Sequence, residues 1–111
     1  TWKQKNAAIF VAKTKEGMAG YLIFYYVLEE GEIARIATAH SVRRQGAASQ
    51  MFRKLLDFCR EQKITRIMLE VRENNEAARQ FYGKCGFTKD GIRRNYYENP
   101  KENAVLMSVN L

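Results

Sequence analysis

A mixed α+β fold, with elements in the order β-β-β-α-β-α-β-β, is what this sequence predicts. Three observations carry it. Two β-rich apolar runs flank a hairpin signal near the start, and the apolar period changes to helical spacing after Ser41. A short β-branched run then separates two helical stretches, which makes a central βαβ unit. That unit implies parallel strands, and the hairpins at both ends imply antiparallel ones, so the sheet is mixed.

Each element has its own warrant. Residues 7–13 and 18–28 are the opening strands, separated by Thr14-Lys15-Glu16-Gly17. Glu29-Glu30-Gly31-Glu32 turns the chain into a third strand over residues 33–38. Ala47, Ala48, Met51, Phe52, Leu55, Leu56, Phe58 and Cys59 recur at helical spacing through about Gln62. Residues 64–71 read as a buried strand. Asn74 or Asn75 caps a second helix whose inner side carries Ala77, Ala78, Phe81, Tyr82 and Cys85, and Gly86 ends it in the left-handed conformation. Residues 87–97 and 104–109 are the last strands, joined through Glu98-Asn99-Pro100-Lys101.

Length and composition narrow the function classes. The 111 residues make one domain, and 46% apolar residues suffice for a packed core, which excludes disorder as the overall state. The net charge of +7 points to an anionic partner: nucleic acid, a membrane surface or a phosphorylated cofactor. No apolar stretch is long enough to span a membrane, and Thr1-Trp2-Lys3-Gln4-Lys5 does not open an export signal. Two cysteines and one histidine cannot build a zinc site, so no metal is expected. Cys59 and Cys85 read as buried free thiols, which fits a reducing, cytoplasmic setting.

Two stretches can carry chemistry. The first is Arg43-Arg44-Gln45-Gly46-Ala47-Ala48-Ser49, between a strand and a helix. Gly46 allows close backbone approach, and the first amides of a helix are unpaired and electropositive, so a pyrophosphate is a natural guest. It is neither a Walker loop nor a dinucleotide fingerprint. The second is Leu69-Glu70-Val71-Arg72-Glu73-Asn74-Asn75, followed by Phe81-Tyr82-Gly83-Lys84-Cys85-Gly86-Phe87. Glu70 interrupts an apolar strand, and a carboxylate removed from water becomes a better proton acceptor. The plainer reading is a structural pair with Arg66 or Arg72. Asn75 and Tyr82 stand two helical turns apart and share a face.

In this order and spacing the stretches resemble the GNAT N-acetyltransferase superfamily. Leu69-Glu70-Val71-Arg72 with Asn75, Ala78 and Tyr82, then Ile92-Arg93-Arg94-Asn95-Tyr96-Tyr97 and Ala104 with Met107, are similar to the ribosomal-protein-alanine N-acetyltransferases, the RimI type. The resemblance runs from about Met18 to the C-terminus. It implies a V-like splay in the central βαβ unit and acetyl-coenzyme A as cofactor. Ile36, Ala37 and Thr38 would pair with the pantetheine arm, and the amides of Arg44 to Ser49 would hold the pyrophosphate with Arg43 at the rim. Asn75 would meet the pantetheine region, and Tyr82 would lie near the thioester sulfur. Glu70 would be the general base and Tyr82 the general acid of direct transfer to a protein N-terminal α-amine, a ribosomal protein above all. Tyr96 and Tyr97 would clamp the acceptor.

The sequence departs from the pattern in three places. Superfamily members usually carry another strand and one or two helices before the hairpin that opens here, so the chain reads as an N-terminally short member. An uncovered sheet edge would then favour a homo-oligomer. Ala48 stands where the pattern often has Gly, and Asn103 where it commonly has Asp. Three other readings remain: the same chemistry on a small-molecule or lysine amine, a basic RNA-binding module built on Arg93-Arg94-Asn95-Tyr96-Tyr97, and a fragment that binds coenzyme A without turnover.

Overall fold

The computed structural model describes residues 5–15, 17–38 and 46–111. They form six strands and two helices: β1 (Asn6–Thr14), β2 (Gly17–Val27), β3 (Glu30–Thr38), α1 (Ala47–Gln62), β4 (Arg66–Arg72), α2 (Glu76–Lys84), β5 (Thr88–Tyr97) and β6 (Glu102–Asn110). The mixed α+β class and the element order are those predicted. The chain resolves into two compact units, Thr1–Thr65 and Arg66–Leu111.

In the first unit β1, β2 and β3 form an antiparallel meander. Period-two alternation buries Leu22 and Phe24 of β2, while α1 contributes Met51, Phe52, Leu55 and Cys59 to the same core. Phe58 ties the layers together, with its ring 5.5 Å from that of Phe10 and 5.2 Å from that of Tyr26. Lys54 Nζ donates to the Val11 carbonyl at 2.8 Å, pinning α1 to β1. Lys63 ends the helix in the left-handed region, and the Ile64 N–H returns to the Cys59 carbonyl at 2.8 Å.

The turn between β2 and β3 differs from expectation. Leu28 and Glu29 make it, and Gly31 already lies buried inside β3. A Cβ at Gly31 would run into the Phe24 ring, so the glycine makes room for an aromatic side chain and does not shape a turn.

In the second unit β6 lies between β4 and β5, antiparallel to both. Its buried residues, Ala104, Val105, Met107 and Ser108, occur in adjacent pairs, as a strand covered on both faces requires. Strand β4 alternates: Ile67, Leu69 and Val71 are buried, while Met68, Glu70 and Arg72 share the other, half-buried face. Glu70 thus stands on the opposite face from the apolar core residues of its strand. Helix α2 is anchored chiefly by Tyr82, which is 4% exposed and whose ring lies 5.5 Å from that of Phe87. Cys59 is buried as expected, but Cys85 is only half-buried; both thiols are free. Among the described residues no helix is long and apolar enough to cross a membrane.

Candidate active site

The first site element is the start of α1. Gly46 holds φ 78°, which an L-residue adopts only with strain, and thereby admits Ala47 as the first helical residue. Among the described residues no side chain caps this end, and the first turn carries no acidic residue to oppose its amides and dipole. They line a cleft of about 370 Å³ with Lys13 and Arg53. Positive charge, helix amides and a glycine beside open space together fit a diphosphate. Ala47 is buried, Ala48 half-buried and Ser49 exposed. Arg43, Arg44 and Gln45 lie outside the described residues. Lys13 and Arg53 come from β1 and from the interior of α1, and no local motif marked them for this cleft.

Ile36, Ala37 and Thr38 form the end of β3, opposite Leu22, Tyr21 and Gly20 of β2. All three are half-buried.

The second unit gathers the remaining residues. Asn75 caps α2, its Oδ1 accepting from the Ala78 N–H at 3.2 Å. Its Nδ2 keeps its donors for another partner. Burial pushes the Tyr82 phenol up to about 12, with Cys85 and Tyr97 adding smaller contributions. Tyr82 therefore keeps its proton throughout the neutral range. Tyr97 is also raised, first by burial and then by the Glu70 carboxylate and Tyr96.

Glu70 is partnered, but by neither arginine considered from sequence. Tyr96 donates its hydroxyl proton to Oε1 at 3.2 Å, and Arg93 Nη1 stands 3.5 Å from Oε2. Oε2 is buried and makes no hydrogen bond, so the Arg93 contact is an ion pair without close hydrogen-bond geometry. Arg66 is engaged elsewhere: Nη2 donates to Ser108 Oγ at 3.4 Å and lies 3.9 Å from Asp90. Arg72 braces the β5–β6 connection, donating to the carbonyls of Pro100 at 3.1 Å and Glu98 at 3.2 Å and pairing with Glu102 at 3.2 Å. Its guanidinium also covers the Tyr97 ring at 4.3 Å.

Glu70, Tyr96 and Tyr97 thus form one cluster, and the influence of Tyr97 on Tyr82 extends it to α2. Sequence reasoning missed the bracing by Arg72 and the Arg93 pair. Both are cross-strand contacts fixed by register, which residue spacing alone does not reveal. Such a cluster offers a carboxylate to take a proton, a neutral phenol to donate one, and aromatic rings to guide a substrate.

Known proteins show the same arrangement of chain. A [ribosomal protein bS18]-alanine N-acetyltransferase of Haemophilus ducreyi is 30% identical over 100 residues, which are 87% of this chain and 69% of that protein. The crystal structure of the ribosomal-protein-S18-alanine N-acetyltransferase from Escherichia coli superposes with a TM-score of 0.86 at 31% identity, covering 94% of this chain and 68% of that one. A Bacillus anthracis acetyltransferase solved in complex with acetyl coenzyme A matches with a TM-score of 0.85 at 26% identity, over 96% of this chain and 63% of that one. The chain therefore spans about two-thirds of the length of these proteins. The model of the acetyltransferase (GNAT) family matches residues 1–87, taking in the glycine turn, Glu70 and Tyr82. With the diphosphate-fitting helix start and the strand carboxylate in place, the chain belongs to the acetyltransferase (GNAT) family, whose cofactor is acetyl-coenzyme A.

Proposed function

We propose that this chain acetylates the N-terminal α-amine of a protein, with a ribosomal protein as the first acceptor to test. The observation that carries the reading is the Glu70 carboxylate, whose buried Oε2 lacks a hydrogen bond beside two tyrosines of the β5 end. The names of the Haemophilus and Escherichia relatives support the acceptor class. The family model crosses the boundary between the two compact units, which supports reading residues 1–111 as one acetyltransferase domain.

The residues divide the work as follows. The amides of Ala47 to Ser49, with Lys13 and Arg53, would hold the cofactor's phosphates. The backbone of Ile36, Ala37 and Thr38 and the amide of Asn75 would align its arm. Bound acetyl-coenzyme A supplies a thioester carbonyl whose C–S bond breaks as the amine nitrogen bonds to its carbon. An α-amine with a pKa near ~8 arrives mostly protonated at neutral pH, so a base has to remove a proton before attack. Glu70 takes that proton. Tyr82 donates to the departing sulfur; being a weak acid, it acts first as a hydrogen-bond donor and keeps the thiolate from returning. Tyr96 and Tyr97 flank the acceptor backbone.

A basic RNA-binding surface is less well supported, because the two tyrosines it would stack bases on are engaged, Tyr96 by Glu70 and Tyr97 by the Arg72 guanidinium. We read the setting as cytoplasmic from the free thiols. The test measures acetyl-coenzyme A consumption against N-terminal peptides, lysine peptides and polyamines. Turnover on N-terminal peptides that Glu70→Gln reduces by about 10²-fold or more supports the reading. Faster turnover on polyamines than on any N-terminal peptide would move the function to small amines.

A further inference from the structure

We propose that Arg93 is a placeholder for the acceptor's ammonium group: it neutralises Glu70 in the resting enzyme and yields to the incoming substrate cation. The proposal rests on the reading of Glu70 as the proton acceptor, and it gives the exposed arginine of β5 a role in acceptor binding.

The two oxygens of Glu70 are held unequally. Oε1 receives the Tyr96 hydroxyl at 3.2 Å, which fixes the carboxylate plane. Oε2 is buried without a hydrogen bond, and its cation stands off at 3.5 Å. A charge-assisted N–H···O bond settles at roughly 2.7–2.9 Å, so this oxygen keeps unused accepting capacity. An ammonium group brings three N–H donors on a compact charge, which is what such an oxygen lacks.

Arg93 is placed to leave. Its side chain is 55% exposed, so the guanidinium needs little resolvation to withdraw. It lies 5.0 Å from the Tyr96 ring centre, a contact that can persist after the ion pair opens. Arg72 makes the contrast, tied by three hydrogen bonds and a ring. The other charged and titratable groups of the cluster are Tyr96 and Tyr97 of β5, with Arg72 of β4 and Glu102 of β6 facing Tyr97. Acetylation turns the acceptor into a neutral amide, which no longer competes for Oε2, and once Glu70 has released the captured proton to solvent Arg93 can return to the carboxylate.

The experiment is steady-state acetylation of an alanine-starting peptide, varied at saturating acetyl-coenzyme A, with melting curves for each variant. Arg93→Gln removes the competitor and should lower the peptide KM about threefold to fivefold, the range expected for a partly exposed charge pair. Arg93→Lys should restore the wild-type KM. Arg94→Gln, with the same charge change one residue away, should leave it unchanged. Arg93→Met, which keeps the stem without the charge, serves if Arg93→Gln melts below the assay temperature. An unchanged or raised KM in the folded Arg93 variants overturns the placeholder role, as does an equal fall with Arg94→Gln, which would reflect net charge alone. Glu70→Gln separates the two levels: if it retains full turnover, the reading of Glu70 as base fails, whereas a slow Glu70→Gln beside an unmoved Arg93→Gln KM removes only the placeholder.

Discussion

Asn103 of β6 accepts the backbone N–H of Asn95 at 2.8 Å through Oδ1, while its Nδ2 donates to Glu73 Oε1 at 3.2 Å. Asn95 sits at φ 52°, where the register between β5 and β6 shifts and the chain turns Tyr96 and Tyr97 toward Glu70. One amide side chain therefore holds the irregularity that positions the aromatic pair. This explains why an amide serves where the resembling sequences commonly carry Asp. A carboxylate could still accept from Asn95, but it would face Glu73 as a like charge.

Asn103→Asp is accordingly expected to destabilise the chain by about 1–2 kcal/mol, through a lost donor and the repulsion from Glu73. Adding Glu73→Gln should recover most of the loss. Urea titration of the two single variants and the double variant checks this, and strict additivity would disconnect the pair.

Gly31→Ala should cost about 1–3 kcal/mol, because the added methyl meets the Phe24 ring in a filled core. Phe24→Leu, destabilising alone, should reduce the penalty of the alanine, and a thermal-melt cycle measures that coupling.

Gly31 also shows where the sequence stops being legible. A glycine among three glutamates has the composition of a turn, and only the ring packed over it from β2 reveals its use. The element order was readable because period and capping are local: Asn75 caps α2, and Cys59 faces the core. The partners of Glu70 were not, because sequence proximity favoured Arg66 and Arg72 while antiparallel register delivered Arg93 and Tyr96. The aromatic end of β5 was recognisable as a string, but its bracing by Arg72 depends on the path of residues 98–102.

Alkaline pH should expose the burial of two groups. The Cys59 thiol is pushed up from 9.0 to about 11 and the Tyr82 phenol from 10.0 to about 12, both chiefly by desolvation. The folded chain keeps these protons where the unfolded chain has lost them. Their contribution is complete below pH 9 and 10, respectively, and is lost as pH rises through about 11 and 12. Each is worth at most about 2.7 kcal/mol. Urea unfolding between pH 8 and 12 should show the fall, and Tyr82→Phe should flatten its upper part.

Gly46→Ala should separate folding from cofactor binding. The left-handed φ makes alanine cost about 1–2 kcal/mol in stability. Its methyl would enter open space beside the helix amides, the place assigned to the diphosphate. Calorimetry should show coenzyme A affinity reduced about tenfold or more in the folded variant. Unaltered affinity would move the phosphates away from this helix start.

Arg72 offers the sharpest test of the acceptor side. It binds the carbonyls of Glu98 and Pro100, pairs with Glu102 and covers Tyr97, so it fixes the segment that would flank an extended peptide. Lysine keeps the charge but cannot reproduce the planar fork. Arg72→Lys should therefore lower kcat/KM on N-terminal peptides by about tenfold, mostly through KM, while small amines that do not touch residues 96–100 lose far less. Tyr97→Ala should show the same selectivity, because it removes the ring that Arg72 holds. Tyr82→Phe should instead depress turnover on every acceptor alike. Equal losses on peptides and small amines in the Arg72 and Tyr97 variants would place the acceptor path elsewhere and leave the β5 aromatics a structural part of the fold.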